Sequence, residues 1–441
     1  MSRPRPSRPA CPASSRGTRA TTASPEVRRS DPPLRDPPLR DPPPEIRNVS
    51  VKPKLIYLVT EDWYFWSHRL PMARAARDAG FDVAVAARID RHGDRIAAEG
   101  FRVLPLSWQR RSVNPLGALS DVAEIAALYR REAPDIVHHV AVKPVVLGGL
   151  AAWQAGVPAV VNALAGLGTM FLGTGGAKAR LAGQLAKPVL GCMLRRPNSV
   201  TILQNEDDRR TLLEQRLITP DKTCIIRGSG IDTAHHTVLP EPPEPPVTIG
   251  CAARLLANKG MDRLVEAHDR LLDKGLDVRL ILAGQPDPAN PTSFPQPVLD
   301  GWAARPNVEL TGHLDDIRAL WRRCHVAVLP TLGGEGLPKS LLEAAACGRA
   351  IVATDVPGCR EVARAGENAL LVPPGDVAAL TDALEVLVRD AALRRQFGAA
   401  SRRLVESDMA ADRVGAKTVE LYRRLLASAR TGTAAPVAEA S

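Results

Sequence analysis

Two glutamates separated by seven residues mark the segment of this 441-residue sequence that is best suited to chemistry. Glu335 lies in a glycine-rich loop after a predicted strand, and Glu343 lies on a helix that we expect to begin at Pro338. A strand, a glycine loop and a helix N-terminus form an anion site, because free backbone N–H groups and the positive end of the helix dipole face the ligand. We therefore expect the amides of Gly336 and Leu337 to bind an anion.

The alternative for this segment is a solvated helix on which Lys339 and Glu343 form a simple ion pair. Such a pair contributes only ~0.2–0.5 kcal/mol, and a lysine that precedes the glutamate is the less favourable order. The two glutamates lie in a segment with fixed glycine and proline positions, and this pattern favours a functional role over a solvent-exposed ion pair.

A second candidate site follows another predicted strand, in the segment Gly250–Gly260 with Arg254 and Lys259. Two cations at the carboxyl end of a strand suit a diphosphate, because Arg forms planar, bidentate hydrogen bonds and Lys supplies a point charge. A solvated loop is the alternative, since both residue types are common at helix ends. These residues alone do not decide between the two.

Three histidines and a lysine are candidates for the other wall of a cleft. His138 and His139 end a predicted strand that faces this cleft, and Lys143 follows them. For the histidine pair, and His139 in particular, we favour an active-site role over a core or capping role. His68 fits either role equally well.

The elements that must position these residues are short apolar runs that alternate with helical spacing. Unbroken apolar strands in βα units predict parallel sheets covered on both faces, so the fold class is α/β with two Rossmann-like, doubly wound domains facing a cleft. The predicted strands of the first domain are Leu55–Val59, Phe81–Ala87, Arg102–Leu106, Asp135–His139, Ala159–Ala163 and Val200–Gln204. Those of the second are Val247–Ala253, Val278–Gly284, Val308–Gly312, Val326–Pro330 and Ala350–Thr354.

Composition indicates the domain boundaries. Residues 1–50 hold Pro, Arg and Ser clusters, and such a segment cannot bury enough apolar area to offset its ordering. The expected organisation is a disordered tail at 1–50, a first domain at 52–230, a Pro-rich linker at 231–246, a second domain at 247–408, a helix at 409–430 that crosses back to the first domain, and a disordered end at 431–441.

The charge of the chain is less basic than its formal value of +10. Residues 1–50 carry ten Arg against five Asp and Glu, so the remainder carries 10 − 5 = +5. This mild bias does not indicate nucleic-acid binding, but it favours binding to an anionic membrane surface or to phosphorylated substrates.

The cysteine content indicates the compartment. Seven Cys without a CxxC pair indicate reduced thiols in a cytosolic protein. We see neither a transmembrane run nor a secretory signal.

Several other chemistries lack their motifs in this sequence. GxSxG, DxD, GxGxxG and zinc-spaced Cys/His clusters do not occur. We therefore expect no redox cofactor and no divalent metal.

Together, the segments Gly250–Gly260 and Thr331–Cys347 resemble the retaining glycosyltransferases of family 4, which have the GT-B fold. The resemblance covers roughly Leu55 to Leu404. Five further segments look like the bacterial capsule and lipid-linked-glycan branch of that family: TEDWYFWSHRLPMARAARDAGFDV, VHHVAVKPVVLGGLAA, NALAGLGTMF, QNEDD and TDVPGCREVA.

The resemblance implies a UDP-sugar donor on the second domain and a glycan acceptor, carried on polyprenyl diphosphate, on the first. Arg254 and Lys259 then hold the diphosphate, Glu335 contacts the donor sugar and Glu343 the ribose hydroxyls. The implied sugar is a hexose or N-acetylhexosamine. Retention without a protein nucleophile implies front-face departure of the diphosphate. The implied location is the cytoplasm, at the inner face of the membrane.

One departure and two rivals remain. Many family members carry a Gly-Gly loop after the first strand, whereas this chain has the aromatic segment Glu61–His68, which weakens the acceptor-side assignment. A sugar-nucleotide 2-epimerase shares the fold, and a catalytically silent subunit that binds a nucleotide sugar is the rival from another class.

The basic, amphipathic segment Gly175–Asn198 is equally suited to a lipid interface and to a packed helix, and the expected lipid-linked acceptor favours the interface.

Overall fold

The computed structural model describes residues 52–108, 115–167, 187–288 and 290–431. The predicted tail at 1–50, residues 432–441 and residues 175–186 of the predicted amphipathic segment lie outside these ranges. Helices occupy Asp62–His68, Leu70–Asp78, Gly93–Ala98, Pro115–Glu132, Val142–Ala155, 187–194, Glu206–Glu214, Met261–Asp273, Gln296–Ala303, Arg318–Trp321, Lys339–Ala346, Pro357–Val362, Val377–Arg389, Ala391–Leu404 and Ala411–Thr431.

In the described part of the chain, seven parallel strands form the first sheet, in the order β3-β2-β1-β4-β5-β6-β7. Successive side chains of β1 enter two different cores: Tyr57 and Val59 face one side, and Ile56 and Leu58 face the other. The unbroken apolar run is therefore explained by burial on both faces. The strands are β1 Lys54–Glu61, β2 Asp82–Arg88, β3 Arg102–Pro105, β4 Ile136–Val140, β5 Ala159–Leu164, β6 Ser199–Leu203 and β7 Thr223–Ile225.

A second sheet of six parallel strands, counted over the same described ranges, has the order β10-β9-β8-β11-β12-β13. Two parallel, doubly wound sheets confirm the predicted fold class. Strands β7 and β13 were not predicted from the sequence, because runs of three and four residues carry too little apolar pattern. The strands are β8 Val247–Ala252, β9 Val278–Ala283, β10 Val308–Gly312, β11 Val326–Leu329, β12 Ala350–Thr354 and β13 Ala369–Val372.

The Pro-rich segment lies along the second domain and is bound to it. The carbonyl of Pro240 accepts a hydrogen bond from Arg349 Nη2 at 2.8 Å, and that of Pro242 accepts one from His325 Nε2 at 3.0 Å. Glu244 forms an ion pair with the buried Arg394. Buried guanidinium groups thus use backbone carbonyls and a carboxylate of this segment as their partners, as buried cations require.

The chain passes between the two cores at two adjacent places. Ile226 belongs to the core of the first sheet and Ile231 to that of the second. Ile231 N–H donates to Met409 O at 3.0 Å, and Ala411 N–H donates to Ile231 O at 2.9 Å, so the outgoing and returning segments pair with each other. The returning helix Ala411–Thr431 then packs against the helix Leu70–Asp78 of the first domain.

A buried hydroxyl network fixes this last helix. Tyr422 Oη lies 2.7 Å from Tyr57 Oη and 2.5 Å from His138 Nδ1. All three side chains are buried, and burial raises the pKa of both tyrosines. The phenol oxygen of Tyr422 therefore partners two groups on neighbouring strands of the first sheet.

Replacing Tyr422 with Phe should lower the free energy of unfolding by about 1–3 kcal/mol, because two buried polar groups lose a partner. Urea unfolding followed by circular dichroism measures this change. The matched control is Tyr64→Phe, a half-buried tyrosine whose hydroxyl makes no hydrogen bond to the described residues. Equal stability of the two variants would show that the network does not hold the helix.

Candidate active site

The loops that leave β8 and β11 border a region at the carboxyl edge of the second sheet, which we call the crevice. These strands are neighbours, with Val326 beside Ile249 and Ala327 beside Gly250. The strand order reverses at this pair, so the loops that leave the two strands diverge, and open α/β sheets bind ligands at such points. The two candidate segments from the sequence, Gly250–Gly260 and Thr331–Cys347, contain the loops that leave the sheet here.

Lys259 and Glu335 meet in this crevice as an ion pair. Their side chains are only 15% and 13% exposed. Thr331 Oγ1 also donates to Glu335 Oε1 at 2.9 Å, which fixes the carboxylate from a second direction. The backbone reaches this arrangement through Gly260, which has a φ of +72° and lies so close to Pro330 O that no Cβ atom would fit. The structure thus joins the two constellations that the sequence kept 76 residues apart.

Arg254 lies at the same sheet edge but has a different partner. Its Nη1 donates to Asp287 Oδ2 at 2.9 Å, and the side chain is 46% exposed. The guanidinium is therefore held near the crevice by a carboxylate and remains open to solvent on one side. A ligand phosphate in the crevice could approach both Arg254 and Lys259, each from beside its present carboxylate partner.

Glu343 is nearly buried on the helix Lys339–Ala346, with 12% of its side chain exposed. Pro338 is the N-cap rather than the first helical residue, which shifts the predicted start by one position. Lys339 Nζ lies 3.3 Å from Glu343 Oε1, so the simple ion pair that competed with a functional role does form. Burial raises the pKa of Glu343, and the charge of Lys339 lowers it by less.

The structure places His138 and His139 inside the first domain, which argues against contact of either ring with a ligand. Strand β4 continues to Val140, and both rings are fully buried. His138 stacks on Tyr57, whereas His139 faces the opposite core, with Nδ1 at 3.2 Å from Asn162 Oδ1. Because consecutive side chains of a central strand point to opposite covered faces, neither ring reaches the cleft.

His68 and Lys143 lie apart from each other. His68 Nδ1 is 2.6 Å from Ser67 Oγ, and the ring stacks on Tyr64. Burial, together with the charge of Lys339 in the second domain, lowers the pKa of His68 to about 3. His68 therefore faces the second domain. Lys143 instead turns to Asp121, at 3.1 Å, on the helix Pro115–Glu132.

Three residues at this edge had no assigned role in the sequence analysis: Thr331, Asp287 and Asn205. Asn205 donates a hydrogen bond from the first domain to the carbonyl of Gly336, at 3.2 Å. It belongs to the QNEDD segment, so its signal was visible only as a resemblance. Among the described residues, no group of three or more His, Cys, Asp or Glu side chains could hold a metal ion.

Two family models match the chain, one over each sheet. Residues 54–204 match the description "Glycosyl transferase 4-like", and residues 246–390 match "Glycosyl transferases group 1". The chain belongs to the group 1 glycosyltransferases. This confirms the resemblance drawn from the two loop segments and the prediction that the chain is a glycosyltransferase.

The group 1 assignment agrees with similar proteins along most of the chain. N,N'-diacetylbacillosaminyl-diphospho-undecaprenol alpha-1,3-N-acetylgalactosaminyltransferase of Campylobacter jejuni is 26% identical over 74% of this chain and 87% of its own length. The capsular polysaccharide biosynthesis glycosyltransferase CapM of Staphylococcus aureus is 22% identical over 85% of this chain and 97% of its own length. The structure of Anabaena HepE in complex with UDP-glucose is 17% identical in sequence and has a TM-score of 0.67. The match covers 84% of this chain and 99% of HepE. This likeness confirms the GT-B fold.

Replacing His139 with Gln should weaken the loss of stability in acid. Burial lowers the pKa of His139 to about 4 in the folded protein, while the unfolded chain titrates near ~6.5. Between these values the unfolded state binds more protons, so the free energy of unfolding falls by up to ~1.4 kcal/mol per pH unit for this group as the pH drops. His139→Gln removes that contribution, which urea unfolding at pH 7 and pH 5 measures.

His313→Gln is the matched control for this comparison, because the His313 ring is 67% exposed. His313→Gln should leave the difference in the free energy of unfolding between pH 7 and pH 5 as in the wild type. If His139→Gln also leaves it unchanged but lowers turnover, His139 acts in catalysis and the structural role is wrong.

Proposed function

We propose that this glycosyltransferase moves a hexose or N-acetylhexosamine from a UDP-sugar to a glycan acceptor carried on polyprenyl diphosphate, in the synthesis of a surface polysaccharide. The Lys259–Glu335 pair in the crevice between β8 and β11 carries the proposal. The activities for which the Campylobacter and Staphylococcus relatives are named support the acceptor class and the pathway type. UDP-glucose bound to HepE supports the donor class.

In this proposal, the charge that develops on the departing diphosphate is stabilised by groups already held in place. Lys259 has three N–H donors, of which Glu335 engages one, and the Arg254 fork is partly open to solvent. The amides of Gly336 and Leu337 precede the N-cap Pro338 and lie next to the positive end of the dipole of the helix Lys339–Ala346. Preorganised donors of this kind are what electrostatic catalysis requires.

The two glutamates have separate roles in the same proposal. Glu335 contacts the donor sugar, because its carboxylate lies beside the cation that binds the diphosphate. Glu343 accepts hydrogen bonds from the ribose hydroxyls. Its side chain is mostly buried, and hydrogen bonds to a charged, mostly buried carboxylate are strong. The diphosphate leaves from the same face that the acceptor hydroxyl attacks, and its oxygen takes the acceptor proton, so the anomeric configuration is retained.

Replacing Lys259 with Met should lower turnover on the order of 10²–10³-fold, because it removes one fixed donor from the leaving diphosphate. The assay follows transfer from UDP-N-acetylhexosamines and UDP-hexoses to a polyprenyl-diphosphate-linked sugar, with EDTA present throughout. Lys274→Met is the matched control, since Lys274 pairs with Asp382 and Glu385 on the surface. Wild-type activity that is lost in EDTA and restored by Mg²⁺ would contradict the cation account.

The same assay separates the rival functions. An epimerase converts the nucleotide sugar without an acceptor, and a silent subunit binds UDP but produces neither product. Either result overturns the proposed transfer reaction.

We also propose that the first domain binds an anionic membrane surface. Trp153 is 61% exposed on the helix Val142–Ala155, and the Arg196 guanidinium lies 5.9 Å from its ring centroid. Val189 is exposed on the adjoining helix at 187–194, which also carries Lys187. Exposed aromatic and basic side chains are typical of an interfacial surface. No helix among the described residues is long and apolar enough to span a membrane.

Wild-type protein should sediment with anionic liposomes more than with neutral ones, and Trp153→Ala should reduce that binding. The control is Val386→Ala, which removes an exposed apolar side chain from the second domain. Equal sedimentation of the wild type with both lipids would count against the proposal.

A further inference from the structure

The loop that carries Glu335 is packed directly against the first domain. We call residues 333–337 the glutamate loop. A Cβ atom at Gly336 would lie 2.2 Å from Gln204 Oε1 and 2.5 Å from the carbonyl carbon of Ala165. Both neighbours follow strands of the first sheet. The contact is therefore one of backbone against another domain, and glycine is required because there is no room for a side chain.

Asn205 makes the directional bond in this contact. It is fully buried, and its Nδ2 donates to Gly336 O at 3.2 Å and to Asp208 Oδ2 at 3.0 Å. Its Oδ1 accepts from Asp208 N–H at 2.7 Å and so caps the helix Glu206–Glu214. One side chain thus fixes the start of its own helix and holds a carbonyl of the other domain.

The direction of that carbonyl determines the direction of the next amide. In a trans peptide, the C=O bond of one residue and the N–H bond of the next lie in one plane and point in opposite directions. With Gly336 O turned to Asn205, the Leu337 N–H points away from the Asn205 side chain. A hydrogen bond to the carbonyl also polarises the peptide and strengthens its N–H as a donor.

We propose that Asn205 is a positioning residue for the nucleotide donor: by holding Gly336 O, it directs the Leu337 N–H at the β-phosphate of the bound UDP moiety. This inference rests on the proposed function, because it takes the donor to be a UDP-sugar. It adds that a residue of the first domain completes the phosphate site of the second. Donor binding and the approach of the two domains are then coupled through one buried hydrogen bond.

Two ion pairs join the domains beside Asn205, Arg360 with Asp207 at 2.7 Å and Arg227 with Glu361 at 2.5 Å. Arg360 is 42% exposed and Asp207 32%, so this pair is screened by water and salt and contributes little. The buried bond of Asn205 is not screened in this way. We therefore expect its effect on UDP binding to persist at high ionic strength.

Asn205→Ser tests the proposal, because serine is a good N-cap but is too short to reach Gly336. Calorimetry with UDP and with UMP is the measurement. UDP affinity should fall about tenfold or more, since a buried carbonyl loses its partner and the β-phosphate donor loses its direction. UMP lacks the β-phosphate, so its affinity should change less than about threefold. The UDP effect should remain in 0.5 M salt at roughly the same size.

Asn198→Ser is the matched control, because Asn198 Nδ2 donates to Val157 O at 2.9 Å within the first domain, away from the glutamate loop. It should lower the melting temperature to a similar extent and leave both affinities unchanged. If Asn205→Ser does not fold, the isosteric Asn205→Asp, which keeps the cap oxygen, takes its place.

Equal weakening of UDP and UMP, or no weakening in a folded variant, overturns the positioning role. Failure of both Asn205 variants to fold assigns Asn205 to stability and overturns it as well. Absence of UDP binding by the wild type instead refutes the proposed donor, so the two failures are distinguishable.

Discussion

The glutamate loop and the residue Pro330 before it lie so close to their neighbours that no Cβ atom would fit between them. An added Cβ would lie 2.5 Å from Ala165 at Gly336, 2.1 Å from the carbonyl oxygen of Pro330 at Gly260, and 2.5 Å from carbonyl oxygens of the loop at Gly358. Because protein interiors are close-packed, a side chain added at any of these glycines would displace its neighbours. The position of Glu335, and with it the ion pair to Lys259, therefore depends on backbone contacts from both domains.

Within this frame, each cation of the proposed diphosphate site is held by a carboxylate. Lys259 is paired with Glu335 and Arg254 with Asp287. The charges of Lys259 and Glu335 are both mostly buried and offset each other's desolvation, whereas either charge alone would be costly. A diphosphate that enters the crevice brings negative charge to the same cations. In this proposal the diphosphate engages further N–H donors of the same cations, beside their carboxylate partners.

The first domain has a polar interior that supports the helix of the returning chain. His138 and Tyr57 on adjacent strands face Tyr422, while His139 faces Tyr129 and Asn162 on the opposite side. These groups are neutral, and each of them makes at least one hydrogen bond, which is how buried polar side chains are tolerated. The histidines therefore belong to the packing of the sheet, although their place near the end of a strand had favoured the cleft.

The sequence by itself determined the local structure and the class of the protein. Apolar runs in βα alternation predicted two parallel sheets, and strand, glycine loop and helix placed Glu335 and Glu343 at a sheet edge, because these patterns depend on neighbours along the chain. Only the tertiary structure decided which side chains meet. The bond of Asn205 to Gly336 joins residues 131 positions apart, and the burial of His138 follows from β4 being central in its sheet. Such contacts depend on strand order and on the docking of one domain against the other, and local periodicity carries no information about either.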